Sequence, residues 1–140
     1  MSYLESFDGL TVGIKDIDEQ HERIMKYLED LVYKIRNGTT QKINLCELRK
    51  LNVTVDEHFY TEEQLLKEYN HPALEKQQKE HNEMYEKFKK LYNLLQINII
   101  TAFPEQILND TIDTVKKHIT ETDKITFEDI KRYEQNSKAN

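Results

Sequence analysis

Four histidines in this 140-residue chain stand in apolar surroundings: His21, His58, His81 and His118. His58 and Glu62 are four residues apart, and Gln77 and His81 repeat that spacing, so each pair would share one helix face. A single histidine on an apolar stripe is ordinarily structural, hydrogen-bonded to a neighbour. A buried carboxylate is harder to account for, because an unpaired one costs several kcal/mol or gives up its charge. Four imidazoles turned inward together with carboxylates share one simple cause, a metal centre. Imidazole suits iron, zinc, copper and nickel, and carboxylates can bridge two metals. A lone zinc takes about four ligands. Seven candidates are present here: His21, His58, Glu62, Gln77, His81, His118 and Asp123. That number suits two metals sharing carboxylates.

The elements that must position these groups follow from periodicity. Ile17, His21, Ile24, Leu28, Leu31 and Ile35 alternate steps of four and three. So do Leu48, Leu51, Val55, His58, Glu62, Leu65 and Tyr69, and again Leu74, Gln77, His81, Met84, Phe88, Leu91 and Leu95. A shorter stripe runs through Leu108, Thr111, Val115 and His118. These are faces of amphipathic helices. The first is expected over Asp18–Ile35, ending near Asn37-Gly38, and the second over Ile43–Tyr69. Asn70-His71-Pro72 breaks the chain before the third, over Ala73–Gln96. Pro104 can open the fourth, to about Thr120, after a connection over Asn98–Phe103. Four such helices with mostly short connections predict an all-α, antiparallel up-down four-helix bundle. Each helix then brings one histidine inward. Asp123 comes five residues after His118, so it is expected at or beyond the end of the fourth helix, turned back by the backbone.

The whole chain reads as one domain. An irregular arm over about residues 1–16 contains Gly9 and Gly13, the bundle occupies about 17–122, and an extension covers about 123–140. That extension is expected to hold a short helix near Phe127–Tyr133 and a frayed tail. Charged residues make up 33% and the mean hydropathy is −0.82, yet apolar residues recur throughout, which describes a soluble globular chain. No apolar run approaches the ~20 residues of a membrane span. The start, MSYLESFDGL, lacks the basic and apolar regions of a secretory leader. Cys46 is the single cysteine, which suits a cytoplasmic setting. A net charge of −6 and no basic patch argue against a nucleic-acid partner.

Other chemistry is poorly supported. Glu68-Tyr-Asn-His71 has the Glu-x-x-His spacing of ferritin-like di-iron sites, but it occurs once and His71 precedes Pro72. His71 is expected to be exposed. There is no HExxH, Walker loop, dinucleotide fingerprint or GxSxG. Cys46 lies off its helix's stripe, and the runs EKQQKE and KKHITETDK read as solvated faces.

Three motifs together resemble the hemerythrins, and within them the single-domain bacterial type. Ile17-Asp18-Glu19-Gln20-His21 has the I-D-x-Q-H form, His58-Phe59-Tyr60-Thr61-Glu62-Glu63 the HFxxEE form, and His118-Ile119 with Asp123 the HIxxxD form. Order and spacing agree from about Phe7 to Asp123. The resemblance implies a non-haem di-iron centre with an oxo or hydroxo bridge. One iron would take His21 and His58. The other would take His81, His118 and a third ligand at position 77, with Glu62 and Asp123 bridging. It further implies reversible binding of O2, held as hydroperoxide, for oxygen storage, delivery or sensing rather than enzymatic turnover. NO or another small ligand could take the same place. The expected partners are therefore small molecules, with no membrane or nucleic acid and a monomer favoured. Three positions depart from the family. Gln77 stands where a ligand histidine is usual, Phe7 where tryptophan is usual, and Thr114, four residues before His118, where tryptophan is common. Gln77 is a weaker neutral donor than imidazole. An altered ligand there keeps two alternatives in view: a di-iron enzyme with peroxidase, oxidase or nitric-oxide chemistry, and an iron- or redox-responsive interaction module.

Overall fold

In the computed structural model, residues 11–37, 45–97 and 105–139 are described. Phe7, Gly9, Gly38, the expected helix start at Ile43, the connection 98–103 and Pro104 lie outside them. The described elements are α1 (Lys15–Arg36), α2 (Leu45–Glu68), α3 (Leu74–Ile97), α4 (Glu105–Lys117), a π-helical turn (His118–Asp123) and α5 (Lys124–Ala139). Consecutive helices α1 to α4 pack as neighbours. The chain is an all-α bundle, as the stripes predict.

The stripes sort into three layers. One apolar cluster gathers Ile24, Met25 and Leu28 of α1, Leu51 and Val55 of α2, Met84 and Phe88 of α3, and Leu108, Ile112 and Val115 of α4. A smaller cluster joins Val12, Ile17, Leu66, Phe127 and Ile130. Between them the sequence places polar residues on every helix. Ile17, His21 and Ile24 climb α1 from the small cluster to the large one, and Val55, Glu62 and Leu66 descend α2. The third and fourth helices repeat this reversal, so the direction of each stripe records the antiparallel order. The α2 stripe turns toward Leu66 at its end, and Leu65 is only half-buried.

Helix ends follow local chemistry. Asn70 adopts φ 50°, a left-handed conformation that asparagine tolerates. The His71 N–H donates to the Leu66 carbonyl (2.9 Å) and the Asn70 N–H to that of Lys67 (3.2 Å), a Schellman closure of α2. At the same end of the bundle, Gly13 supplies φ 87° just before α1. Val12 N–H (2.8 Å) and Gly13 N–H (3.1 Å) both donate to the Asp18 carboxylate. The aspartate of the I-D-x-Q-H motif thus ties the arm down and seats Val12 in the small cluster.

Three expectations are corrected. Asp123 does not lie past a helix end, because the helix continues and only widens. Lys124 N–H bonds to the Ile119 carbonyl, an i→i−5 closure. A π turn carries residues five apart onto one face, which an α-helix would not do. Second, α5 runs continuously to Ala139 rather than as a short helix with a frayed tail, anchored by buried Phe127 and Ile130. Third, His71 is buried. Its Nδ1 accepts the Ala73 N–H (3.0 Å), so its Nε2–H faces Asp129 of α5 (3.3 Å). That pairing makes it a structural residue beneath α5.

Candidate metal centre

All seven candidate residues are buried in the middle layer. Glu62, Gln77 and Asp123 have no exposed surface at all. Around Glu62, Oε1 lies 2.9 Å from His81 Nε2, 3.2 Å from His58 Nε2 and 3.6 Å from His118 Nε2, and Oε2 lies 3.7 Å from His21 Nε2. Asp123 mirrors it from the π turn, with Oδ2 3.0 Å from His21 Nε2 and Oδ1 3.0 Å from His118 Nε2. Four imidazoles from four helical segments therefore point the same ring nitrogen at two carboxylates.

Three rings are fixed in that orientation from behind. Thr61 Oγ1 donates to the Glu57 carbonyl and accepts from Gln20 Nε2 (3.0 Å), which turns Gln20 Oε1 toward His58 Nδ1 (2.9 Å). An amide oxygen can only accept, so His58 carries its proton on Nδ1 and keeps a lone pair on Nε2. His81 Nδ1 meets Glu63 (2.8 Å), itself held by Gln78 (3.2 Å), and the His81 ring stacks on Phe59 at 4.0 Å. His118 Nδ1 meets Glu80 (2.9 Å), which also accepts from the Thr122 hydroxyl (2.7 Å). These are the outer contacts that set ring orientation and raise basicity at metal-ligating histidines. Sequence reasoning missed Gln20, Glu63 and Glu80. The run EKQQKE read as a solvated face, yet Glu80 is partly buried against His118 and Gln77 is inside. KKHITETDK is corrected likewise, since Thr122 and Asp123 are buried.

Without a cation this layer is electrostatically awkward. His58 Nε2, His118 Nε2 and Glu62 Oε2 are buried with no aligned hydrogen-bond partner. Burial alone would lower the His21 pKa, but the hydrogen bonds to Asp123 and Glu62 and their charges outweigh it and raise it to about 9. His118 faces the same desolvation, and the charge and hydrogen bond of Asp123, with help from Glu62 and Glu80, push it well upward. Burial wins at His58, which is lowered. Burial would raise Glu62, yet its interactions with His58, His118 and His21 hold it well below the ordinary carboxylate range. Lone pairs converging on a buried point need protons or metal ions between them, and the donor set fits metal ions. Among the described residues two groupings have donor atoms close enough to share an ion: His21, His58, Glu62 and Asp123, and Glu62, His81 and His118.

Gln77 lies in the same layer. Its Nε2 donates to Asp123 Oδ1 at 2.8 Å, and its Oε1 is buried without a partner.

Two spaces border the layer. One is a cavity of about 10 Å³, lined by His21, His58, His118, Phe59, Met84 and other buried apolar residues. The other is an open cleft of about 420 Å³ between α3 and the α4–π segment, whose rim carries Lys76, Lys79 and Lys117 and whose floor includes Glu80, His118 and Thr122. No helix among the described residues is long and apolar enough to cross a membrane. A family model for the hemerythrin HHE cation-binding domain matches residues 12–130. No curated protein and no solved structure matches the chain.

Proposed function

Since the chain belongs to the hemerythrin family, whose domain binds cations, we propose that it is a non-haem di-iron protein that binds O2 reversibly, for storage, delivery or sensing. The observation that carries this reading is the small cavity beside His21 and His58. About 10 Å³ admits roughly one water-sized sphere, and its walls are Ile24, Val55, Phe59, Met84, Phe88, Val115 and Ile119. Such a space suits an apolar diatomic and disfavours charged or extended substrates.

Two irons, when bound, supply the electrons that reversible O2 capture requires. His21 and His58 with Glu62 and Asp123 would hold one, and His81 and His118 with Glu62 the other. Gln20, Glu63 and Glu80 meet Nδ1 of His58, His81 and His118 and so keep Nε2 of each ring turned inward, toward the ions. The apolar walls exclude water from the side where O2 would sit. Four imidazoles against two carboxylates make a site of low negative charge, which supports holding O2 over activating it. A cytoplasmic setting suits a chain with one cysteine.

The open cleft over His118 favours a second reading, an enzyme with peroxidase, oxidase or nitric-oxide chemistry, because it would admit a polar co-substrate. One experiment separates the two. The iron-loaded protein is cycled between argon and air while its absorption spectrum is recorded. A band that appears with O2 and vanishes on its removal over repeated cycles supports oxygen binding. Irreversible oxidation in the first cycle, or steady turnover of peroxide or NO with a reductant, supports the enzyme.

A further inference from the structure

The two halves of the layer differ in donor number, and Gln77 is where they diverge. Asp123 offers Oδ2 to the His21 side, at 3.0 Å from His21 Nε2. Its other oxygen, Oδ1, accepts the Gln77 amide at 2.8 Å. An ionised carboxylate can only accept, so the amide must present its nitrogen to Asp123, and that hydrogen bond fixes which way Gln77 is turned. The Oδ1 lone pairs are thereby shared with an N–H on the His118 side. Oδ1 also lies 3.0 Å from His118 Nε2, so it is divided between that ring and the amide. Among the described residues Asp123 completes a mutually close set of four with His21, His58 and Glu62, whereas His81 and His118 share such a set with Glu62 alone.

The surroundings differ in the same sense. Both rings of the four-donor side border the small cavity, every wall of which is buried, and His118 is the one ring of the other side to reach it. The three-donor side lies under the open cleft, reached at His118 past Glu80 and Thr122. A divalent ion with three protein donors keeps coordination positions for water, and one under an open cleft has a route to exchange. The buried, unpartnered Gln77 Oε1 offers at most a neutral amide oxygen to such an ion.

We propose that the centre loads unequally: a firmly held divalent ion at His21, His58, Glu62 and Asp123, and an exchangeable one at His81, His118 and Glu62 that enters and leaves through the cleft between α3 and the α4–π segment. This rests on the metal-centre reading above. The exchangeable position accepts ferrous iron or another divalent ion with nitrogen–oxygen preference, so the protein holds a mixed pair whenever a second such ion competes.

The test is an anaerobic titration with ferrous iron against a competing chelator, followed by desalting and metal analysis, on the unaltered protein and on Gln77→His. The unaltered protein is expected to retain one equivalent and to bind a second at least about tenfold more weakly, the scale of effect that a single altered contact at a metal site produces. Gln77→His brings an imidazole to the same buried position, one turn before His81. It is expected to retain two equivalents, with the first unchanged. Adding zinc to the loaded unaltered protein should displace one iron and leave the other. The unaltered chain carries the test by itself should the variant fold poorly. Two equivalents of equal affinity in the unaltered protein, or exchange of both ions by zinc, overturn unequal loading while leaving the metal centre intact. Retention of no equivalent by either protein overturns the metal centre itself, and unequal loading with it.

Discussion

The His21–His58 side of the polar layer and the His81–His118 side begin from the same chemistry, two imidazoles facing Glu62. They end differently because of what stands around them. On the first side Asp123 Oδ2 is available and the adjoining space is small, apolar and buried. On the second side Asp123 Oδ1 is divided between His118 Nε2 at 3.0 Å and the Gln77 amide at 2.8 Å, and an open charged cleft adjoins. A count of histidines would call the two sides equal. The orientation of one amide and the exposure of one wall make them unequal.

The largest effect on this comparison should come from the residue both sides share. Glu62→Ala removes the carboxylate that all four imidazoles face, so iron retention should be lost at both positions. Glu63→Ala removes the partner of one ring, at His81 Nδ1, and should cost about 10–100-fold at the second position alone. Metal analysis after desalting decides, and equal iron content in the two variants would mean that Glu62 is not the shared bridge.

Removing outer partners should then resolve the sides one at a time. Gln20→Ala frees His58 Nδ1 and should weaken the first position about 10–100-fold, while Glu80→Ala frees His118 Nδ1 and should weaken the second by a similar factor. Chelator competition reads each loss. Losses that fall on both equivalents in both variants would erase the distinction between the sides.

Stripping the metal is the next test. Bound ions add to folding free energy, by about 2.7 kcal/mol at one hundred times the dissociation constant. The iron-free protein should therefore melt at a lower temperature, and hydrogen exchange should rise first in the Val12–Ile14 arm and around Asp123. An unchanged melting temperature would count against a central site.

The smallest effect is a pH dependence confined to the stripped protein. His21 is raised from 6.5 to about 9, and His118 is raised as well. Between these values the folded state binds more protons than the unfolded state, so stability falls as pH rises. The contribution is complete below about pH 6.5 and lost through about pH 9. His58, lowered by burial, contributes the opposite slope, which is nearly complete just above pH 6.5. The loaded protein should behave oppositely and lose metal on acidification, because protons compete for the same nitrogens. Thermal melts of both forms at pH 6.5 and 9 distinguish these slopes.

Much of this architecture is legible in the sequence. Steps of three and four carry the apolar residues and the ligand candidates together, so the periodicity that predicts four helices also delivers His21, His58, His81 and His118 to one layer. What escapes lies one residue off a stripe or depends on a partner helix. Gln20 and Glu63 each adjoin a ligand candidate in sequence and read as surface positions, yet each turns back to hold a ring on another helix. Glu80 sits in a charged run and is drawn in only because Thr122 and His118 face it. The π turn could not be read from periodicity, since its i→i−5 closure falls outside the steps of three and four that mark an α-helix. The burial of His71 follows from α5, whose length two apolar anchors, Phe127 and Ile130, did not announce.

The most direct test of a paired metal centre with unequal sides is diffraction from iron-loaded crystals at the iron absorption edge. Two anomalous peaks should flank Glu62, the stronger beside His21 and His58 and the weaker beside His81 and His118, with Gln77 still bonded to Asp123. A single peak elsewhere in the molecule, or none within the layer, would contradict the account.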